Sequence, residues 1–407
     1  MNLPSPSFTT GPTRTQTFNL ENKVALNLSK LFDRDAKPSY LKNLAPHTKE
    51  EASLREAKTQ IQKYLQAAIP KWLEEKLGEK TNVRPKFRTQ GSWAYKTCNE
   101  PCQHPPQEMD WDLGIYLPVS LWDDYGIHPK AAAKGYYDMV RELMTPLAKE
   151  NNWTLSEKPM CARVKLNNNT RAHIDLPLYA APDEEFIHVK EAREALAKTM
   201  AADSSFSETT TWDSLTRISL ACKDGTWNPS DPGRVVVWFE KKLQRHGPQL
   251  RRISRYLKAW RDHTWASGGP SSIVLMVCAS KTMDQTKADF SGRDDLALAH
   301  VLQALSSQLI NSVKEPMIDP DEDLNRLDVQ ARQEAAVKVA EFHSALRQAL
   351  DSNIANRNGA IQLIQKHLGQ RFPNDPDGVT PDDGPTNIRN IPAEPRPRSP
   401  IVSTTAG

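Results

Sequence analysis

The chain predicts an α+β protein of two lobes, a mixed sheet with helices followed by a helical lobe, with the active site in the cleft between them. Three observations predict it. Apolar residues from Thr48 onward recur at three- and four-residue steps (Leu54, Ala57, Ile61, Leu65, Ala68, Trp72, Leu73), the period of a helix. Between residues 84 and 179 the period drops to two, the mark of half-buried strands. After about residue 235 helical spacing returns. A length of 407 residues, at roughly 150 per domain, suits two or three such units.

Both ends depart from this pattern. Residues 1 to about 20 carry three prolines and many Ser and Thr, and residues 371–407 carry eight prolines and one aromatic without periodicity. They read as mobile. The division expected is therefore a flexible segment over 1–45, a core over 46–200 that begins with the long helix, a helical lobe over 201–370 and a disordered tail over 371–407. Thr48 and Glu51 form a capping box at the start of the long helix, and Pro70 would kink it. Strands follow at 84–90 and 109–117. A hairpin joins 162–166 to 171–179 across the Asn-rich turn at 167–169.

Composition excludes more than it assigns. With 53 basic and 50 acidic residues the net charge is +3, so nothing global demands a nucleic acid or a membrane. Five scattered cysteines and no charged-then-apolar leader read as reduced cytosol. The longest apolar run, 273–279, is too short to span a bilayer. No membrane partner and a cytoplasmic location are expected.

The chemistry concentrates in carboxylates. In the run 108–117 (EMDWDLGIYL), alternation sends Met109, Trp111 and Leu113 to one face and Asp110 and Asp112 to the other. A DxD pair alone is more often a solvated loop. Here it sits on a strand that buries one face, and a third acid, Asp175, lies in the apolar run 174–177 (IDLP), where a carboxylate is costly unless paired or metal-bound. Hard carboxylate oxygens are what Mg²⁺ binds, and two such ions stand roughly 3.5 to 4 Å apart when they bridge an attacking hydroxyl and a leaving phosphate. Upstream, Gly91 and Ser92 follow a strand. A glycine there lets the backbone approach a phosphate, and backbone N–H groups and the Ser92 hydroxyl can donate to it.

Five segments in order, 89–97 (TQGSWAYKT), 107–112 (QEMDWD), 172–177 (AHIDLP), 257–262 (LKAWRD) and 268–272 (GGPSS), closely resemble the bacterial cGAS/DncV-like nucleotidyltransferases. The likeness runs from about 80 to 285 and fades beyond. It implies a polymerase-β-like nucleotidyltransferase core and a synthase that joins ATP, GTP or other NTPs into a cyclic dinucleotide of the cyclic GMP-AMP type, releasing pyrophosphate. In that family such products are second messengers of antiphage defence and act on a cyclic-nucleotide-activated effector. By the same resemblance, Asp110, Asp112 and Asp175 would hold two Mg²⁺ (Mn²⁺ as an alternative), with Asp175 also acting as general base. Gln90, Gly91 and Ser92 would meet the donor triphosphate, Lys258 and Ser272 would reach phosphate from the helical lobe, and Arg163 would contact a nucleotide. The run 316–320 (PMIDP) resembles an element that puts Asp319 near a nucleoside. Some operons of the family encode a ubiquitin-like conjugating enzyme, and Gly407 would be its point of attachment; a tail that simply stops there is the equal alternative.

Other readings stay open. The same scaffold serves template-independent transfer to RNA or protein, and a catalytically silent nucleotide sensor would also fit the motifs. The segment 241–261 holds eight basic residues and no acids. It reads first as an amphipathic helix with a solvated basic face. Beyond that, Lys258 turned toward a triphosphate is favoured over Arg251, Arg252 and Arg255 as a site for an activating nucleic acid. Cys98, Cys102 and His104 lack a fourth ligand at zinc spacing and read as a loop. His173 shares the face of Asp175, as a partner to it or as a structural histidine.

Overall fold

A computed structural model of the protein describes residues 25–35, 37–77, 83–118, 129–167, 171–181, 218–316 and 321–382. The first lobe is built on strand β3 (Met109–Pro118). Strands β6 (Ala172–Leu176) and β7 (Leu178–Ala181) run parallel to it in succession, while β2 (Lys86–Thr89) pairs with it antiparallel. On one side the sheet continues through β5 (Ala162–Leu166) to β4 (Trp153–Glu157), and on the other through β8 (Ser219–Ala221) to β9 (Trp227–Pro229). The helix expected from Thr48 is α3 (Thr48–Leu77), with Pro70 inside it. Its buried stripe, Leu54, Ala57, Ile61, Leu65, Ile69 and Leu73, lies in one core with the apolar face of β3 and with α5 (Pro129–Glu150).

The second lobe is helical: α6 (Pro232–His246), α7 (Pro248–Thr264), α8 (Ser272–Gln285), α9 (Asp294–Ile310), α10 (Val329–Leu350) and α11 (Arg357–Leu368). Its core also takes in both flanks of the chain, which corrects the expected boundaries. Residues 25–35 and 37–45 form β1 (Leu26–Asn27), α1 (Ser29–Phe32) and α2 (Tyr40–Asn43), and Leu26, Leu28, Leu31, Phe32, Tyr40 and Leu44 are fully buried there. Past residue 370, Phe372 and Val379 are buried in the same core, and β10 (Thr380–Pro381) pairs with β1. A handful of large apolar side chains suffices to anchor a segment whose short elements show no period. The boundary expected at 201 also moves, because β8 and β9 complete the first lobe's sheet.

The segment between α4 (Gly91–Ala94) and β3 stitches the lobes together. Asn99 and Arg255 exchange two hydrogen bonds, each 2.9 Å. The Gln103 amide donates to the carbonyls of Asp262 and His263, and the Gln107 amide to those of Asp262 and Trp265, satisfying the last turn of α7. Among the described residues, no helix is long and apolar enough to cross a membrane.

Candidate active site

The register of the parallel pair β3–β6 brings distant acids together. Asp110 stands opposite His173 and Asp112 opposite Asp175. Along β3, Met109, Trp111 and Leu113 are buried while Asp110 is exposed and Asp112 half-buried, so the alternation holds. Trp111 stacks on Trp93 of α4 with ring centroids 4.4 Å apart, which fixes the buried face. Asp175 is itself buried. Arg163, its register partner on β5, grips it bidentately, Nε to Oδ1 at 2.7 Å and Nη2 to Oδ2 at 2.8 Å. His173 Nδ1 lies 3.0 Å from Glu108 Oε2, and Nε2 is 3.8 Å from Asp175 Oδ1.

Burial, and then the charges of Asp110 and Asp175, push the Asp112 carboxyl up to about 7, against the opposing pull of Arg163 and Lys258. Asp110 and Asp112 on the cleft wall, with Asp175 buried beside Asp112, are the kind of donor set a hard divalent cation needs, and such a cation would relieve their repulsion. As placed, however, no group of three or more His, Cys, Asp or Glu among the described residues is arranged to enclose an ion. Both oxygens of Asp175 are committed to Arg163.

The turn after β2 is built against this wall. Gln90 N donates to Asp112 O at 2.9 Å, extending the β2–β3 ladder, and Gly91 follows with φ +59. A Cβ on Gly91 would stand 2.2 Å from Asp112 Oδ2, so the position takes glycine for contact as well as conformation. Ser92 Oγ is buried at the cleft without a hydrogen-bond partner beyond the Cys98 thiol it neighbours. Gln90 corrects an expectation. Its amide points away from the cleft, donating to Tyr116 Oη at 2.6 Å and accepting from Tyr179 Oη at 3.1 Å, in the space that Gly114 leaves by lacking a side chain. It braces the turn from behind.

Across a cleft of about 660 Å³, α7 and α8 form the facing wall. Lys258 is buried, its pKa lowered chiefly by burial, and its ammonium donates to Thr97 O at 2.8 Å just beneath the turn. Ser272 opens α8, its Oγ 3.4 Å from Arg261 Nη2. Two cleft residues escaped the sequence reading: Ser230, and Asp231, whose Oδ1 caps α6 through Arg234 N and whose buried Oδ2 has no partner. The Asp-Pro-Gly start of α6 was the available signal, since Asp before Pro commonly caps a helix.

The basic segment is split at Gly247 between α6 and α7: Lys241 and Arg245 stay exposed, whereas the arginines of α7 do not form a solvated face. Arg252 pairs bidentately with Asp294, Arg251 donates to Tyr95 O, and Arg255 binds Asn99. The arginines set aside as a nucleic-acid site are spent inside the protein. Cys98 is buried, with its thiol pushed up to about 11 by burial, and Cys102 faces His263, so no zinc cluster forms among the described residues. Asp319 and Gly407 lie outside the described residues.

Carboxylates on neighbouring parallel strands, a glycine–serine turn beside them and a helical lobe across the cleft define a nucleotidyltransferase. The family model described as "Cyclic GMP-AMP synthase DncV-like, nucleotidyltransferase domain" matches residues 85–179, and "Cyclic GMP-AMP synthase, C-terminal domain" matches 247–380. The likeness therefore does not fade at 285. A cyclic GMP-AMP synthase of Escherichia coli (strain TW11681) is 31% identical over 309 residues, 72% of this chain and 69% of that protein. One from Vibrio cholerae serotype O1 is 34% identical over 246 residues, 58% of this chain and 55% of that protein. The chain belongs to the DncV-like cyclic GMP-AMP synthase family of nucleotidyltransferases. Its matched segment spans only 55% of the Vibrio protein and 69% of the Escherichia coli strain TW11681 one. The crystal structure of Vibrio cholerae DncV with the linear intermediate 5′ pppA(3′,5′)pG superposes with a TM-score of 0.69 at 22% identity, covering 88% of this chain and 99% of that one. A point mutant of the same Vibrio protein, solved with ATP, GTP and 5MTHFGLU2, gives an equal TM-score of 0.69, also at 22% identity. These two likenesses show the fold.

Proposed function

We propose that the protein is a cyclic dinucleotide synthase of the cyclic GMP-AMP type, which joins ATP and GTP in the cleft and releases pyrophosphate. The observation that carries the reading is the register that sets Asp112 beside Asp175 and directly under Gly91. Relatives named cyclic GMP-AMP synthase support the choice of reaction. A cleft of about 660 Å³ falls within the roughly 300–1,000 Å³ usual for ligand sites.

Asp110, Asp112 and Asp175 are the carboxylates that would hold divalent cations, two Mg²⁺ or alternatively Mn²⁺. When bound, these ions neutralise the triphosphate and favour ionisation of the attacking hydroxyl. The remaining work belongs to side chains. Gly91 admits the donor phosphates against the turn, and Ser92 Oγ donates to them. Lys258 supplies positive charge from behind Thr97, and Ser272 a hydroxyl from α8. Arg163 holds Asp175 in the free protein; an arriving phosphate competes for that guanidinium, and the freed carboxylate accepts the proton of the acceptor ribose hydroxyl. The ribose oxygen attacks the α-phosphorus in line, the bond to pyrophosphate breaks, and a second turn closes the ring. Positioning carries much of the rate. We extend the reading to Asp319 as a nucleoside contact, to Gly407 as a substrate of a ubiquitin-like conjugating enzyme, and to a cytoplasmic role in antiphage defence through an effector that the product activates.

Incubation of the protein with labelled NTPs and Mg²⁺, followed by phosphatase, tests the reaction. A small phosphatase-resistant product containing A and G is expected. Label transferred instead to RNA or protein would replace this reading with transfer to a macromolecule.

A further inference from the structure

A second chamber of about 420 Å³ continues the groove between α6 and α8 beyond the cleft. Val235, Ile273 and Met276 line the cleft; one helical turn further, Trp238, Val277 and Ser280 line the chamber, closed on its far side by the end of α9. It lies outside the reaction cleft.

Its lining is built for a ligand. Ser280 is 1% exposed, and its Oγ has no partner. That is costly in a helix, where a serine hydroxyl ordinarily bonds to a carbonyl of the preceding turn. Gln308 donates through Nε2 to Thr282 Oγ1 at 3.1 Å, which leaves its buried Oε1 unpaired on the same chamber. A hydroxyl and a carbonyl oxygen on one chamber, both without partners, match an edge that both donates and accepts, as a nucleobase does. Trp238 contributes an aromatic wall. Lys242, Lys281 and Lys314 stand around the chamber against a single lining acid, Asp284, which Arg245 and His246 also engage. The surplus positive charge suits a phosphate, and the volume suits a mononucleotide.

We propose that this chamber is a second ligand site, separate from the reaction cleft, for a phosphate-bearing purine nucleoside. Because α6 and α8 line both spaces, an occupant touches the helices that carry Val235 and Met276 into the cleft. The inference does not rest on the synthase reading, since binding is measured without turnover.

Equilibrium dialysis of the intact protein against AMP, without divalent cation, tests it. Binding is expected to survive Lys258→Ala, which alters the cleft. It should weaken by about tenfold or more in Lys281→Glu, which reverses an exposed charge at the chamber, and in Ser280→Leu, which fills it. Lys281 lies on the surface, so its variant folds even if Ser280→Leu does not. AMP binding lost in Lys258→Ala and unchanged in Lys281→Glu would place the ligand in the cleft and overturn the proposal. So would absence of binding at about 1 mM AMP, which corresponds to very weak affinity. Inorganic phosphate displacing AMP at equal concentration would mean that the base is not read, and would overturn the ligand class.

Discussion

Replacing Gly91 with alanine separates two things a glycine can do. Gly91 has φ +59, and Gly247, between α6 and α7, has φ +70. An alanine at either meets the penalty of a positive φ, on the order of 1–3 kcal/mol, and at Gly247, where ψ is −174, it enters a region that is essentially glycine's own. Only at Gly91 does the new Cβ collide, 2.2 Å from Asp112 Oδ2, whereas nothing lies within 4 Å of the corresponding atom at Gly247. Restoring ordinary contact moves the Asp112 carboxylate or the turn by about 1 Å, a misplacement that costs on the order of 100-fold in rate when it falls on reacting groups. Both variants should therefore melt below wild type, while Gly91→Ala loses about 100-fold in formation of phosphatase-resistant product and Gly247→Ala keeps it. Thermal unfolding and initial rates on the same preparations check this. Wild-type rates from Gly91→Ala, or an equal loss in Gly247→Ala, would refute the claim that contact with Asp112 sets the geometry.

Three further outcomes are expected. The double variant Asp110→Ala with Asp112→Ala should make no product yet melt no lower than wild type in the absence of divalent cation, because it removes crowded like charges; detectable synthesis would end the assignment of these acids. Stabilisation by Mg²⁺ should grow between pH 6 and 8: Asp112, raised to about 7, holds a proton at the lower pH that a cation must displace, a difference of about tenfold in affinity. In the cation-free protein the sign is opposite, since the stability that a raised carboxyl contributes is full below its unfolded value of 3.8 and lost as pH rises through about 7; melting curves with and without Mg²⁺ at both pH values check both halves. Arg252→Ala strands buried Asp294, which also binds Gln249 and Tyr256. It should cost roughly 3–5 kcal/mol and leave any response to duplex DNA unchanged; a melting temperature within a degree of wild type would restore the solvated-face reading.

Much of the first lobe was legible because its signals are local. The alternation through Met109, Trp111 and Leu113 fixes which way Asp110 and Asp112 face, and the apolar setting of Asp175 marks it as an acid that needs company. What the company is was not legible. Arg163 is its register partner only once β5 pairs with β6, and a sequence does not show registers across a turn. The arginines of α7 looked solvated because their partners, Asp294 and Asn99, are far away in the chain. Gln90 carries an amide whose direction depends on Tyr116, Tyr179 and the bare backbone of Gly114. The flanks at 25–45 and 371–382 read as tails for a related reason: their few large apolar side chains show no period and find a core only after the helical lobe exists.

The chain begins its described path in the helical lobe, leaves it near residue 45 to build the sheet lobe, and re-enters near residue 231. The sheet lobe is thus a long insertion, tethered at two points. Two tethers define a line, and swinging about that line is the motion the covalent connections resist least. The second tether is Ser230–Asp231, which also faces the cleft, so whatever fills the cleft presses on the axle of the door that admits it.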